Sequence, residues 1–311
     1  MPGFVAIKIL RALVTLLICV TAVFVVLRLA GDPADMLLPE DTPAEIKAEY
    51  RQRWGLEGSI PEQFGRYMVA LARGDLGVSF ADGRQAAEVV FEAMPNTFLL
   101  GLSAILLALM LGLPAGLIAA LRHNGTVDRL LMAIAVAGFS IPSFFFAILL
   151  ILTFSLTLRW LPAAGTDTLW HMILPTLALS AALVGKLARY TRTAMLDVLG
   201  QPYMRTAKAK GLRHSAVMLR HALPNAAVPI LMFLGIEIGL ILTGAAVVET
   251  IFAWPGLGRL LVSSAAARDL PVVQGVILLV AFVIVLSNLA VDILHAMLDP
   301  RIELIRRNPA T

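Results

Sequence analysis

Three polar residues within long apolar stretches have side chains suited to line a solute pathway or form a gate. Glu237 lies near the middle of one stretch, and Asn288 and Asp292 lie four residues apart near the end of another. Because ionisable groups are costly inside a membrane, such positions are functional candidates. Glu237 faces either a water-filled cavity, where it would attract a cationic group, or a neighbouring helix, where it would hydrogen-bond. Asn288 and Asp292 share one helix face and are expected to organise helix contacts or an inner gate.

The sequence contains none of the side-chain sets that enzymes and metal sites commonly use. Its five histidines are scattered without an HExxH pattern, and the single cysteine, Cys19, excludes an intramolecular disulfide. The Gly185-Lys186 pair lacks the earlier glycine and the following Ser or Thr of a phosphate-binding loop. We therefore expect no catalytic residue, no metal site and no cofactor in this chain.

The composition places most of the chain in lipid. Of its 311 residues, 59% are hydrophobic and 15% are charged, compared with about 25% charged in soluble domains. A helix needs about 20 mostly apolar residues to cross the hydrocarbon layer. Six stretches are predicted to span the membrane: 9–30, 97–121, 130–158, 172–185, 225–248 and 271–291. Lys186 interrupts the fourth stretch and is expected to extend to the headgroups, and Pro142 predicts a kink in the third.

The basic residues are divided unequally between the two sides that six spans define. Fifteen Lys and Arg lie on the side of both termini and ten on the other side, while twelve of the 21 acidic residues fall between residues 32 and 92. Since Lys and Arg mark cytoplasmic loops, both termini are predicted to be cytoplasmic. The first span is alternatively a cleaved signal peptide, although no small-x-small cleavage site precedes Arg28. The net charge of +4 gives no indication of a nucleic-acid partner.

The extracytoplasmic segment 31–95 is expected to form a small helical cap. Thr42-Pro43-Ala44-Glu45 fits a capping box that opens a helix ending near Gly55. A second helix is predicted over residues 61–73, ended by Gly74. Two short helices on a membrane surface do not provide the core of an independent enzyme domain.

The cytoplasmic connection 189–223 carries seven of the fifteen basic residues on its side, so it needs a role beyond joining two spans. Pro202 can begin a helix over 203–210, Gly211 permits a turn, and a second helix is predicted over 215–223. Pro224 then stands where the fifth span can begin. A basic loop attracted to anionic lipid would need charge alone, without these Gly and Pro residues. The pattern favours a helix–turn–helix docking element over a lipid-binding loop.

The segment from Arg205 to Pro224 resembles the cytoplasmic EAA loop of ABC importer membrane subunits, specifically those of the dipeptide, oligopeptide and nickel permease family. Through this loop, such permeases contact their ATPase. The matching residues are Arg205, Thr206, Ala207, Lys208, Ala209, Lys210, Gly211, Leu212, His221, Leu223 and Pro224. Arg205 stands in place of the usual Glu and His221 in place of a usual aliphatic residue, so a Glu-mediated contact to the ATPase is not assumed.

Shorter motifs follow the order and spacing of the same family, so the resemblance covers nearly the whole chain. They are Gly31-Asp32-Pro33, Gly74-Asp75-Leu76-Gly77-Val78-Ser79, Met94-Pro95-Asn96-Thr97, Glu249-Thr250-Ile251-Phe252, Pro255-Gly256-Leu257-Gly258, the segment from Arg268 to Gly275, and Asp299-Pro300-Arg301. Each motif is weak alone, whereas their order together is specific.

The resemblance implies an all-α membrane protein with type I ABC importer permease architecture, in the bacterial cytoplasmic (inner) membrane. Its expected parts are the first span (1–30), the extracytoplasmic segment (31–95), a five-helix core (96–297) with a coupling loop at about 189–224, and a cytoplasmic tail (298–311). The implied partners are a second homologous permease, two ATP-binding subunits that hold ATP and Mg, an extracytoplasmic substrate-binding protein and membrane lipid.

Peptides are the cargo expected from the resemblance, and nickel chelates, glutathione, opines or sugars are the alternatives within the family. The rival from another class is an ion-gradient secondary transporter that uses Glu237 or Asp292 as its coupling carboxylate. That rival predicts an inverted internal repeat, and none is evident in the sequence. A membrane enzyme is disfavoured because no catalytic set converges on one membrane face. The presence of an ATPase partner distinguishes these three functions, because only the ABC importer requires one.

Overall fold

The computed structural model describes residues 2–29, 31, 38, 41–211 and 213–298. Apart from one antiparallel bridge between Val78 and Gln85, the regular structure of these residues is helical. The α-helices are α1 Pro2–Leu29, α2 Ala44–Arg53, α3 Ile60–Ala72, α4 Ala86–Leu121, α5 Thr126–Ser140, α6 Ser143–Leu150, α7 Trp170–Leu199, α8 Pro202–Ala209, α9 His214–Val217, α10 Leu223–Ile251, α11 Leu257–Ala266 and α12 Leu270–Leu298. Two π-helical segments, Ile151–Thr157 and Met218–Ala222, follow α6 and α9.

By length and composition, the described residues contain five candidate membrane spans and one bent helix pair that makes a sixth if it counts as a single span. The five spans are Ala6–Leu29, Ala86–Leu121, Trp170–Leu199, Met218–Ile241 and Leu270–Ile293. The all-helical prediction is confirmed for these residues. The predicted tail from residue 299 onward, most of the motif at residues 31–33 and Leu212 lie outside the described residues.

The third predicted span is wrong as a single helix, because the chain bends by 99° between α5 and the segment that follows Pro142. Pro142 has no N–H for a helical hydrogen bond, and its ring disfavours the helical region for the residue before it. Ile141 accordingly takes an extended conformation, with φ −80° and ψ 122°. The kink predicted at Pro142 is therefore a complete break.

The second predicted span began too late, since α4 starts at Ala86 and continues through Pro95. A proline inside a helix removes one backbone hydrogen bond. Burial of one apolar face of α4 offsets this loss, because every third or fourth residue near the start of the helix packs in an apolar cluster. The buried members of that cluster are Ala86, Val90, Ala93, Leu257, Val272 and Val276.

The fourth span is longer than predicted, because α7 runs from Trp170 to Leu199 without a break at Lys186. The charged side chain does not end the helix, since it finds a partner on α10 that the sequence alone did not reveal. A ten-residue helix, α11, was also missed between the fifth and sixth spans.

The capping box predicted at Thr42 is wrong. Pro43 takes the N-cap position of α2, and no side chain hydrogen-bonds the helix start. Before α3, by contrast, the Ser59 backbone N–H donates to Glu62 Oε2 over 2.8 Å. Gly74 follows α3 with φ +78°, a conformation that favours glycine, so the predicted end of this helix is confirmed.

One compact unit contains the described parts of residues 1–97 and 255–285. Motif residues that are distant in sequence meet inside it. The Ser79 hydroxyl donates to the buried carboxylate of Asp269, and the Phe80 N–H donates to Asp269 Oδ1 over 3.0 Å. Thr97 Oγ1 accepts from the Leu257 N–H at 2.7 Å. These bonds fix residues 79 and 80 to the residue before α12, and they fix α4 to the start of α11.

The second compact unit, built from residues 98–254 and 286–311 where they are described, is organised around α7. Glycines let other helices approach its backbone closely. A Cβ atom on Gly112 of α4 would stand 2.8 Å from the Val184 carbonyl oxygen, and one on Gly116 would stand 2.6 Å from Thr191 Cβ. A Cβ on Gly185 of α7 would overlap the Ala135 carbonyl oxygen of α5. Gly112 and Gly116 thus allow α4 to pack directly against the backbone of α7.

This packing predicts that Gly116→Ala lowers the free energy of unfolding by about 1–3 kcal/mol, because the added methyl must displace backbone and Thr191. Gly101→Ala on the same helix is the matched control, since its Cβ would meet only Ile241 Cγ2 at 3.5 Å, an ordinary contact. Thermal unfolding in detergent measures both variants. Equal melting temperatures for the two would contradict the packing described here.

Candidate functional site

The predicted docking element begins with α8, which follows α7 directly and is fixed by one apolar face. Met204 and Ala207 lie three residues apart, so they project from the same side of the helix, and both are buried. They belong to the apolar cluster of the second unit, together with Met195 and Val217. The helix is therefore anchored to the end of α7 and to the start of the following span.

The opposite side of α8 is exposed and carries most of its polar groups. The exposed residues of the predicted coupling loop here are Arg205, Thr206, Ala209, Lys210 and Gly211. Lys208 lies on the same helix. Apolar anchoring on one face, with the exposed Arg205 on the other face and the exposed Lys210 just after the helix, suits a surface that binds another protein.

Gly211 makes the turn after α8, with φ +74°. This left-handed conformation is open to glycine and costs other L-residues about 1–2 kcal/mol. Apart from its chain neighbours, no described residue lies within 4 Å of the position that a Cβ would occupy. The predicted turn is confirmed, and the other described residues leave the space beside it open.

The prediction that the fifth span can begin at Pro224 is confirmed, because α10 begins at Leu223 with Pro224 in its first turn, although the backbone before it is already helical. Ala222 and Leu223 both have right-handed helical angles, with φ −79° and −61°. The five residues before Leu223 form a π-helix, whose wider turn accommodates a ring that lacks an N–H. His221 and Leu223 are half-buried and Pro224 is exposed. Helical backbone thus connects the turn region to the centre of the fifth span.

Glu237 lies at that centre, and it is buried against Lys186 of α7. The Lys186 ammonium donates to Oε1 and Oε2 of Glu237, each over 3.1 Å. The expectation that Lys186 extends to the headgroups is therefore wrong. Glu237 makes the contact with a neighbouring helix that was one of its two predicted roles, and a role in the solute pathway stays a prediction.

Asn288 and Asp292 lie on α12, where Asn288 is exposed and Asp292 is half-buried. Their helix contacts α10 next to Asp292, since a Cβ atom on Gly235 would overlap the Val291 side chain. Gly235 and Glu237 are two residues apart. The gate role of Asn288 and Asp292 also stays a prediction.

A second charged cluster, missed from the sequence, joins α5 to α7. Arg192 donates from Nε to Asp128 Oδ1 over 2.6 Å and from Nη2 to Oδ2 over 2.8 Å. The Asn124 backbone N–H donates to the same carboxylate at 2.9 Å, and the His123 ring lies 3.6 Å from it. Asp128 has only 3% of its side chain exposed. The cluster fixes the short loop before α5 to the half of α7 that leads to α8.

Within the part of the chain that the structure describes, no three His, Cys, Asp or Glu side chains come close enough together to hold a metal ion. The candidate site is thus built from a protein-facing element, α8 with Gly211, and from an ion pair within the spans.

Residues 112–304 match the family described as binding-protein-dependent transport system inner membrane component. The chain belongs to this family. The matched range includes α7, α8 with the Gly211 turn, and all of α10. The family assignment therefore rests on the second unit in particular. This membership identifies an ABC importer permease subunit of the dipeptide, oligopeptide and nickel type, and it excludes the ion-gradient alternative.

Relatives match nearly the full chain. This chain is 41% identical over 303 residues to the glutathione transport system permease protein GsiC of Escherichia coli K12. The matched region covers 97% of this chain and 99% of that protein. It is 42% identical over 297 residues to GsiC of Pectobacterium atrosepticum, with 95% and 97% covered. The location in the inner membrane follows from the family.

The fold is similar to that of a solved inward-facing MetNI methionine ABC transporter, with a TM-score of 0.54, 18% identity, and 68% of this chain and 95% of that chain covered. A solved amino acid ABC transporter with histidines gives a TM-score of 0.50 at the same identity, over 69% of this chain and 94% of that chain. These likenesses concern the fold alone, and they agree with the expected type I permease architecture.

The Asp128–Arg192 geometry predicts that Asp128→Ala lowers the free energy of unfolding by about 3 kcal/mol, because it leaves Arg192 without its buried partner. Asp82→Ala is the control. Asp82 also pairs with an arginine, Arg84, at 2.9 Å, but both side chains are exposed, so its loss should cost about 0–1 kcal/mol. Denaturation in detergent at matched protein levels measures the difference. An equal effect of both substitutions would refute the structural role of Asp128.

Proposed function

We propose that this chain forms half of the translocation pathway of an ABC importer for short peptides, with glutathione as the first cargo to test. The observation that carries the proposal is 41% identity to a glutathione permease over 97% of this chain. Glutathione is itself a tripeptide, so this cargo lies within the peptide class that the motifs suggest. The chain supplies the pathway and contributes no catalytic residue or cofactor.

The proposed complex pairs this chain with a second homologous permease as a heterodimer. Two ATP-binding subunits hold ATP and Mg on the cytoplasmic side, and a substrate-binding protein delivers cargo from outside. Both termini and the α8 element then face the cytoplasm, as the distribution of Lys and Arg favours. The segment 31–95 faces the binding protein.

In this proposal, α8 and the turn at Gly211 sit in a groove of the ATPase. Two features of the chain support the role. The exposed face of α8 is free to bind a partner, while Met204 and Ala207 anchor its other face. The element also lies between α7 and α10, so a displacement on ATP binding would act on both spans and switch access between the two sides.

Substitutions at Gly211 separate docking from local backbone strain. Gly211→Ala and Gly211→Trp carry the same conformational cost at φ +74°, and only the indole adds bulk to a space that the other described residues leave open. We expect Gly211→Trp to abolish binding-protein-stimulated ATP hydrolysis in the assembled complex, and Gly211→Ala to retain most of it. Both variants should reach the membrane in normal amounts. Normal transport by Gly211→Trp would exclude the docking role.

Uptake into proteoliposomes tests the transport proposal itself. The complex of this chain, its second permease, the ATPases and the binding protein is reconstituted, and radiolabelled glutathione and trialanine are supplied outside. We expect accumulation that requires ATP inside the vesicles and is unchanged when proton and sodium gradients are collapsed. Failure to accumulate either solute, with an active ATPase, would overturn the peptide class of cargo.

A further inference from the structure

The ion pair of Lys186 and Glu237 lies at the centre of two membrane helices. Glu237 is fourteen residues from Leu223 and fourteen from Ile251, the two ends of α10. At a rise of 1.5 Å per residue, either end is about 21 Å away. Lys186 is similarly central in α7, sixteen residues from Trp170 and thirteen from Leu199. The pair is therefore remote from both ends of α7 and of α10.

This pair is open on one side. The Lys186 side chain is 39% exposed, whereas Glu237 is buried beneath it. One turn further along the same face of α7, Tyr190 is 38% exposed and stacks on Phe233 of α10, with ring centroids 4.6 Å apart. A charged layer and an aromatic layer therefore lie side by side on the surface that α7 and α10 share.

Lipid is an unfavourable neighbour for that surface. A partly exposed ammonium in the hydrocarbon layer is costly, so such groups face protein or a water-filled cavity. Ile236, adjacent to Glu237 in sequence, is 59% exposed and carries the apolar side chain that suits lipid. The exposed face with Lys186 and Tyr190 has instead the polar and aromatic composition of a solute-binding surface.

We propose that Lys186 and Glu237 form a subsite for a solute that carries both a carboxylate and an ammonium group, on the translocation route. This inference rests on the proposed function and adds the residues that meet the cargo. Lys186 releases Glu237 and binds the cargo carboxylate, while Glu237 accepts hydrogen bonds from the cargo ammonium. The Tyr190–Phe233 layer packs against the apolar part of the solute.

The chemistry of the pair suits transient binding. Without cargo, each charge neutralises the other, so the empty site holds no unpaired buried charge. With cargo, two ion pairs replace one, and the net charge that the subsite contributes is unchanged. When the cargo leaves, Lys186 and Glu237 pair with each other again. No charge is then left without a partner, so release of the cargo is not hindered.

Cysteine accessibility tests the location. In a Cys19→Ser background, Tyr190→Cys leaves the ion pair intact, and Ile236→Cys is the matched control on the apolar face. The assembled complex in membrane vesicles is treated with a membrane-impermeant cationic thiosulfonate. We expect Tyr190→Cys to react at least about tenfold faster than Ile236→Cys, as water-filled and lipid-facing sites differ in free energy by more than the 1.4 kcal/mol of one decade. Equal rates, or an unreactive Tyr190→Cys, would overturn the proposal.

Protection from labelling tests the charge recognition. S-methylglutathione, which has no free thiol, is compared with its N-acetyl derivative, which lacks the ammonium group. We expect the N-acetyl derivative to need about tenfold more solute for half-protection of Tyr190→Cys, because it forfeits a charged hydrogen bond. The double substitution Lys186→Gln and Glu237→Gln removes both charges together, so it leaves none unpaired. In that variant the two solutes should protect equally.

The outcomes separate this inference from the transport proposal. If wild-type complex accumulates glutathione while both solutes protect equally, or neither protects, the subsite is wrong and the proposed function stands. If the discrimination persists in the double variant, other residues recognise the ammonium, and the assignment to Lys186 and Glu237 is wrong. If glutathione and trialanine both fail to accumulate, the proposed function fails independently of the labelling result.

Discussion

Close backbone packing around α7 is the constraint on which the second unit depends. Glycines on α4 and on α7 itself bring the neighbouring backbones into direct contact, where any Cβ would displace a carbonyl or a side chain. Without a hydrophobic driving force between helices in lipid, such close approach supplies much of the association energy. Against α10, α7 packs through the apolar cluster of the second unit, and there the Lys186 ammonium reaches both oxygens of Glu237.

The segment from α8 to the π-helix Met218–Ala222 connects the same two helices, α7 and α10. The chain leaves α7, forms α8, turns at Gly211 and returns through α9 and the π-helix into α10. Met204 and Ala207 join the apolar cluster that both spans share, so α8 is part of the packed unit. Packed interiors switch between discrete arrangements and do not deform continuously. A force on α8 therefore acts on α7 and α10 together, and through them on the ion pair.

Hydropathy was sufficient to find most of the membrane spans, because they depend on local composition. The Gly211 turn was found from the glycine itself, because it depends on one backbone conformation. It was insufficient wherever a distant partner decided the outcome. Lys186 looked like the end of a span because its partner, Glu237, is 51 residues away. The break at Pro142 was predicted only as a kink, because hydropathy averaged over a window of sequence carries no information about the angle between two helices. Asp128 and Arg192, 64 residues apart, carried no local signal of their pairing. Asp128 was nevertheless one of few acidic residues on a basic side, which is a usable clue.

In the proposed function, α8 is the surface through which ATP hydrolysis drives this permease. A photo-crosslinking residue placed at Ala209, which is exposed on α8, tests this role, with Asp82, exposed in the segment 31–95, as the control position. Each variant is expressed in native membranes, illuminated, and its adducts are identified by mass spectrometry. We expect an adduct between position 209 and a nucleotide-binding ATPase subunit, and no such adduct from position 82. An ATPase adduct from position 82, or none from position 209 in an assembled complex, would contradict it.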